Sequence, residues 1–148
     1  METWLLPFKY KIAGVILFFT GLAIGVVYVF SGLNITLPVF AIASVFFSNA
    51  FFTCITTNVA DEIALVTMLA GLSLWVFTKE RIEKAYYNDI RILSLVRSIL
   101  ANLMFLFFSV IFVYGTAFVI VLVFNMYSTF LFYLLFFTIL KQSYKRKL

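Results

Sequence analysis

The chain has 148 residues, of which 65% are hydrophobic, 20% aromatic and 11% charged, whereas about a quarter of the residues in a typical soluble domain are charged. This composition excludes an ordinary soluble fold and predicts an all-α membrane protein. Eleven Lys and Arg against six Asp and Glu give a formal net charge of +5, and the lack of histidine with a single cysteine, Cys54, excludes most catalytic and metal-binding chemistry.

The first apolar stretch, residues 12–30, carries no charge and is long enough for one crossing, which takes about 20 helical residues. Within it, Gly21 and Gly25 form a small-xxx-small pattern that allows another helix to approach the backbone closely. The pattern predicts packing within the chain, with formation of a homo-oligomer as the alternative.

The next segment, residues 31–57, is apolar but contains several hydroxyl and amide side chains. We expect it to stay on the outer face as a re-entrant or interfacial helix that begins at Pro38. Because unpaired backbone groups are costly in a membrane, this segment must be helical, strand-paired or buried against other helices. The alternative is that residues 37–57 are themselves a crossing.

The second predicted span, residues 58–78, starts at a side chain suited to capping. Asn58 can accept hydrogen bonds from the free amides of the first turn, where the positive end of the helix dipole also favours Asp61 and Glu62. Neighbouring positions on a helix point about 100° apart, so these two carboxylates do not converge on one ion. We interpret them as helix-start residues and expect no metal site.

Residues 79–97 form a charged connector without Gly or Pro, which predicts a continuous cytoplasmic helix. Lys79 with Glu83 and Glu80 with Lys84 are opposite charges four residues apart, a spacing that stabilises helices. The helical period also gives the connector an apolar face. The residues of this face that we predict to dock a partner are Ile82, Tyr86, Ile90 and Leu93. The alternative is a solvated connector whose basic residues only fix the topology.

The charge-free stretch 98–140 would make a helix about 64 Å long, twice the hydrocarbon thickness of a bilayer, so it must fold back once. Glycine tolerates the left-handed conformation that ends helices, and Gly115 therefore marks the turn. The predicted spans are residues 98–114 and 117–140.

Two asparagines, Asn102 and Asn125, lie at membrane depth in this hairpin. A buried amide needs a partner, and a hydrogen bond between helices is the expected role. In the alternative, they line a polar path through a small oligomeric transporter or channel. An ion path would normally contain an ionisable residue, and none occurs between positions 98 and 140.

The basic residues at 141–148 follow the last span directly. Cations in this position oppose translocation and also attract acidic lipid. The candidates for contact with acidic lipid are Lys141, Lys145, Arg146 and Lys147.

The distribution of charge predicts the topology. With four spans and residues 31–57 outside, all eleven Lys and Arg fall on one side, which satisfies the positive-inside rule. We therefore expect a four-transmembrane-helix bundle in the inner (cytoplasmic) membrane with both termini cytoplasmic. A five-span alternative with the N-terminus outside would leave Lys9 and Lys11 on the outer side.

Several motifs in residues 58–140 resemble a known family. These motifs are Asp61-Glu62, Lys79-Glu80-Arg81, Tyr86, Ile90-Arg91, Ser94-Leu95, Asn102, Phe112-Val113-Tyr114-Gly115 and Phe124-Asn125-Met126. On these motifs the chain resembles a family of small, uncharacterised multi-pass inner-membrane proteins of Gram-negative bacteria. The connector of that family is more acidic, with acids where this chain has Ala85 and Leu93. The resemblance implies the topology and the importance of the hairpin, and it implies no reaction.

These patterns predict one integral membrane domain, residues 1–148, that is not an enzyme, needs no cofactor and binds no nucleic acid. We expect an anchor, assembly or regulatory subunit in the lipid bilayer that docks a cytoplasmic protein partner through residues 79–97. The alternative is the small transporter or channel described above. An enzyme would need a nucleophile with a base, paired acids or a metal site, and the sequence offers none of these in its apolar stretches.

Overall fold

The computed structural model describes residues 5–44, 50–84 and 86–147. Within these ranges the chain forms four helices and two strands, in the order α1 (Lys9–Ser31), β1 (Thr36–Ser44), β2 (Ala50–Asn58), α2 (Ala60–Val76), α3 (Tyr87–Phe112) and α4 (Thr116–Lys147). The chain is therefore mostly helical, with a small sheet. It divides into two compact units, one formed by Met1–Val15 with Leu72–Leu148 and the other by Ile16–Gly71.

Three of these helices, α1, α3 and α4, are long and apolar enough to cross a membrane. Their hydropathies are 2.4, 2.1 and 2.1, yet only 11% of the residues in an 18-residue apolar stretch of each helix are buried inside the protein. Large apolar side chains therefore face outward, as with Phe30, which is 85% exposed. Lipid accommodates such a surface and water does not, which makes this chain a helical membrane protein.

The remaining helix, α2, is shorter and begins as predicted. Its 17 residues reach about 26 Å, against a hydrocarbon core about 30 Å thick. The Ala60 N–H donates to Asn58 Oδ1 at 3.2 Å, and Asp61 and Glu62 lie in the first turn. The predicted helix cap is confirmed.

In the unit Ile16–Gly71, strands β1 and β2 pair as an antiparallel sheet in which Phe40 lies opposite Cys54. The expected interfacial helix beginning at Pro38 is therefore wrong, and so is a helical crossing over residues 37–57. The sequence of β2 is dominated by β-branched and aromatic residues, which favour extended backbone. Strand pairing also satisfies the backbone groups that a membrane leaves unpaired. Residues 45–49 lie outside the described part of the chain.

Asn58 also closes the base of this hairpin. Its Oδ1 accepts a hydrogen bond from the Ile35 N–H at 2.9 Å, and its Nδ2 donates to the Leu33 carbonyl at 3.0 Å. The Val59 N–H donates to the Ile35 carbonyl at 3.0 Å. One side chain thus connects the end of the sheet to the start of α2.

In the other unit, α3 packs against α4 across the predicted turn. Gly115 has φ 69°, the left-handed conformation that a glycine adopts without strain, so the predicted turn is confirmed. The buried core lies toward the charged ends of these helices. It consists of Val76, Tyr87, Ile90, Tyr133, Phe137 and Leu140.

The predicted continuous helix over residues 79–97 is wrong in its first third. Helix α3 begins at Tyr87, and residues 79–84 are not helical. The charge pairs expected four residues apart are each worth only a few tenths of a kcal/mol. Longer-range ion pairs use the same carboxylates: Glu80 with Lys11 and Lys141, and Glu83 with Arg91.

Candidate functional site

Four segments of the first unit meet in a region rich in charged residues, which we call the basic end. It consists of residues 5–11, 76–84, 86–91 and 133–146. Backbone hydrogen bonds join the first two segments. The Leu6 N–H donates to the Phe77 carbonyl, and the Lys79 N–H donates to the Leu6 carbonyl, each at 2.9 Å. These bonds hold the chain that follows α2 beside the chain that precedes α1.

Glu80 is the central carboxylate of the basic end. Its Oε1 lies 2.5 Å from Lys11 Nζ and its Oε2 lies 3.0 Å from Lys141 Nζ, and its side chain is 16% exposed. Burial raises the pKa of Glu80, but the hydrogen bonds and positive charge of the two lysines outweigh it, so the pKa is lowered from its ordinary value. The carboxylate therefore stays ionised and bridges α1 to α4.

Three aromatic rings form a wall beside this bridge. Tyr133 and Phe137 stack with centroids 5.9 Å apart, and Tyr87 meets Phe137 edge-on at 6.2 Å. Lys141 Nζ lies 5.4 Å from the Tyr87 centroid, and the Arg91 guanidinium lies 5.7 Å from the Phe137 centroid. Aromatic faces attract cations at these distances, so the rings help to position both charges.

Two adjoining cavities open at the basic end. The larger has a volume of about 410 Å³, and its charged lining residues are Lys11, Glu80, Arg91, Lys141 and Lys145. The smaller has a volume of about 220 Å³, and its largely apolar lining includes Ile92, Leu95 and Phe130. The two cavities share Val76, Arg91 and Tyr133 as lining residues. A charged compartment thus borders an apolar one.

The residues predicted to dock a partner have different environments. Ile82 is 72% exposed, and Leu93 is 38% exposed on α3. Tyr86 is half-buried and stacks on Tyr144 with centroids 5.8 Å apart. Ile90 is only 1% exposed and belongs to the core, so its prediction as a docking residue is wrong. The apolar period that indicated a docking face here marks, in part, the side that packs on α4.

The two asparagines of the hairpin come together between the helices. Asn125 Nδ2 donates to Asn102 Oδ1 at 3.1 Å, and the Ser128 hydroxyl donates to the same oxygen. Each amide thus has a partner on the facing helix. This contact joins the middle of α3 to α4.

The two glycines of the small-xxx-small pattern lie on the side of α1 that faces α2. A Cβ added at Gly21 would lie 2.7 Å from the Met68 amide nitrogen, closer than side-chain carbons normally approach. At Gly25 the nearest neighbour would be Ala64 Cβ at 3.7 Å, an ordinary contact. Within the described chain, the close approach is therefore concentrated at Gly21.

The basic residues of the tail also separate in space. Lys141 takes part in the Glu80 bridge, and Lys145 lines the larger cavity. Arg146 is exposed and borders a different cavity with Ile139. The side chain of Lys147 lies outside the described part of the chain.

Among the described residues, no group of three or more His, Cys, Asp or Glu is placed to hold a metal ion. Cys54 is a free, exposed thiol on β2. Asp61 and Glu62 lie together at the start of α2.

The Glu80 bridge was not predicted from the sequence. Lys11 and Lys141 lie 69 and 61 positions from Glu80 in the sequence, and helical periodicity does not relate residues so far apart. One available signal was topological, because helices that cross in alternate directions bring the start of α1, the end of α2 and the end of α4 to the same side. An acidic residue among cations at those ends is a candidate for a bridge.

The comparisons with known proteins add no relatives: no family model, curated protein or solved structure matches the chain.

Proposed function

We propose that the chain is a non-enzymatic multi-pass protein of the inner (cytoplasmic) membrane, with four crossing helices and both termini cytoplasmic, that serves as an anchor, assembly or regulatory subunit. The observation that supports this proposal best is the basic end, where Glu80 joins cations from α1 and α4. Lys and Arg are retained on the cytoplasmic side of membranes, and with four crossings all eleven lie on that side.

The proposal requires α2 to cross despite its length of 17 residues. Val59 precedes α2, and Phe77 continues its hydrogen bonding by donating to the Ser73 carbonyl at 2.9 Å. With these flanking apolar residues and Thr78 the segment has 20 residues, or about 30 Å if helical throughout, which matches the hydrocarbon core. Its acids then lie at the interface, where a charge costs less than at the bilayer centre.

The partner docks, in this proposal, at the connector loop, which we define as residues 79–84. Ile82 is 72% exposed between Arg81 and Lys84, which are also exposed. Ion pairs of Glu80 and Glu83 hold the loop against the helices on either side of Ile82. An apolar side chain fixed between two cations is complementary to an apolar pocket rimmed by acidic groups. The partner is therefore a protein with an acidic surface.

Site-specific crosslinking tests this docking surface. A photo-crosslinking residue at position 82 in living cells should form an adduct with a discrete protein, and the double substitution Arg81→Glu, Lys84→Glu should remove that adduct because it reverses the attracting charge. The control places the same residue at Tyr10, which is 48% exposed at the basic end but outside the connector loop. Identical adducts at positions 82 and 10, or an adduct insensitive to charge reversal, would contradict docking.

We do not propose the transporter or channel alternative. The amides of Asn102 and Asn125 bond to each other between α3 and α4, so their polar groups serve helix packing. A conducting path would need such groups to face an open lumen.

A further inference from the structure

Two adjoining cavities of the basic end, which share Val76, Arg91 and Tyr133 as lining residues, together have the polarity of a phospholipid. The larger one has four cations and Glu80 among its lining residues, and the smaller one is almost wholly apolar. Arg91 and Tyr133 line both, so a molecule with a charged head and an apolar tail could occupy them without crossing an unfavourable surface.

The larger cavity carries an excess of positive charge. Glu80 neutralises part of the charge of Lys11 and Lys141, and Glu83 pairs with Arg91. Lys145 adds a further cation to the lining, so four lining cations are balanced by two carboxylates, of which only Glu80 lines the cavity. Guanidinium and ammonium groups in such a cluster are suited to a phosphate group.

The smaller cavity extends from the basic end along the apolar parts of α3 and α4. Leu95 lies one helical turn beyond Arg91 on α3, and Thr129 lies about one turn before Tyr133 on α4, each a distance of about 6 Å along its helix. Ile92 and Leu95 are 65% and 48% exposed, so the cavity is bordered by side chains that contact lipid in a membrane. An acyl chain that enters it stays connected to the bilayer.

We propose that the basic end binds one anionic phospholipid, with its phosphate among Lys11, Arg91, Lys141 and Lys145 and an acyl chain against Leu95 and Phe130. Basic pockets between transmembrane helices on the cytoplasmic side are suited to acidic headgroups. Glu80 has a positioning role here, because it holds Lys11 and Lys141 beside the cavity. The inference requires only that the chain lies in a membrane, so it stands or falls independently of partner docking.

Tryptophan fluorescence provides the test, because Trp75 lines the larger cavity and Trp4 is the only other tryptophan in the sequence. The Trp4→Phe variant is reconstituted in phosphatidylcholine vesicles that contain a minor fraction of a brominated lipid. This lipid is either phosphatidylglycerol or phosphatidylcholine, and in both the bromine lies near the glycerol end of an acyl chain. Bromine quenches tryptophan on contact. We expect the brominated phosphatidylglycerol to quench Trp75 much more strongly than the brominated phosphatidylcholine.

Two variants and one competitor make the result specific. Lys145→Gln should lower the preference for phosphatidylglycerol about fivefold, the effect of one cation beside an anionic headgroup. The matched control Arg146→Gln removes a charge from the same turn of α4 outside the larger cavity, and it should leave the preference unchanged.

Three results would overturn the proposal. The first is equal quenching by the two brominated lipids, and the second is an equal loss of preference in Lys145→Gln and Arg146→Gln. The third is complete reversal of quenching by an equimolar amount of soluble glycerol phosphate, which would show that the site prefers a free phosphate ester to the lipid.

Discussion

Among the carboxylates of the basic end, we expect Glu80 to contribute most to the free energy of unfolding, because it alone contacts cations from two different helices. Replacing it by Gln keeps its size but leaves Lys11 and Lys141 close together without a neutralising charge. We expect Glu80→Gln to lower the free energy of unfolding by about 2 kcal/mol, the typical worth of hydrogen bonds to a charged group. Thermal unfolding in detergent micelles would measure this loss.

The control for this variant is Asp89→Asn, which removes an exposed acid from the first turn of α3. Its carboxylate interacts favourably with the helix dipole, and its loss should cost only a few tenths of a kcal/mol. Equal midpoints for Glu80→Gln and Asp89→Asn would show that the bridge contributes nothing specific.

The stability that Glu80 contributes should depend on pH. The pKa of Glu80 in the folded chain is lower than its ordinary value of 4.5, so the folded state releases this proton more readily than the unfolded state does. The stabilisation is therefore fully present above pH 4.5 and is lost as the pH falls through the lowered pKa. The difference in unfolding midpoint between the native chain and Glu80→Gln should be constant from pH 7 to 5 and shrink below that. A difference that grows on acidification would contradict the assignment.

At the scale of elements, the two glycines of α1 make a matched pair. Gly21→Ala would place a methyl group 2.7 Å from the Met68 amide nitrogen, and this backbone contact can be relieved only by moving α1 from α2. We expect a loss of about 1–3 kcal/mol, the range for overpacking. Gly25→Ala meets only Ala64 Cβ at 3.7 Å and should be neutral or stabilising, because alanine favours helix. Equal effects on the unfolding midpoint would indicate that α1 does not pack on α2 through this face.

Local signals account for the elements that were predicted, and contacts distant in sequence account for those that were not. The cap at Asn58 and the turn at Gly115 depend on residues next to them, so the sequence was sufficient. The hairpin of β1 and β2 was missed because an apolar stretch of this length also fits a helix. In the connector, the Glu80 bridge outweighs i,i+4 pairs worth a few tenths of a kcal/mol each, and sequence spacing does not reveal the bridge.

In the candidate site, too, some features could be predicted from the local sequence and others depend on contacts between distant residues. Except for Lys11, its cations were predicted as parts of the basic tail and the connector, which the positions of charged residues along the chain indicate. The aromatic wall of Tyr87, Tyr133 and Phe137 was not predicted, because an apolar period does not distinguish a lipid-facing ring from one that packs beside a cation. Only the pairing of α3 with α4 brings these rings to Arg91 and Lys141.

Across the whole molecule, the connections between helices differ in their positive charge. The Lys and Arg residues lie near the two termini, in the connector loop and in the first half of α3, whereas the sheet and the turn at Gly115 carry none. Moving a cluster of cations through a bilayer is costly, so this segregation favours one orientation over its inverse. Partner docking depends on that orientation, because the connector loop must face the cytoplasm to meet a cytoplasmic protein.

Single cysteines in a Cys54→Ser background test the orientation directly. Asn34, Arg81, Tyr114 and Ser143 are exposed positions that lie between or beyond the helices or near the end of α4. With four spans and cytoplasmic termini, a membrane-impermeant thiol reagent should label positions 34 and 114 in intact cells and reach positions 81 and 143 only after permeabilisation. Labelling of both 34 and 81 in intact cells would show that α2 does not cross, and protection of 34 and 114 with labelling of 81 and 143 would place the N-terminus outside.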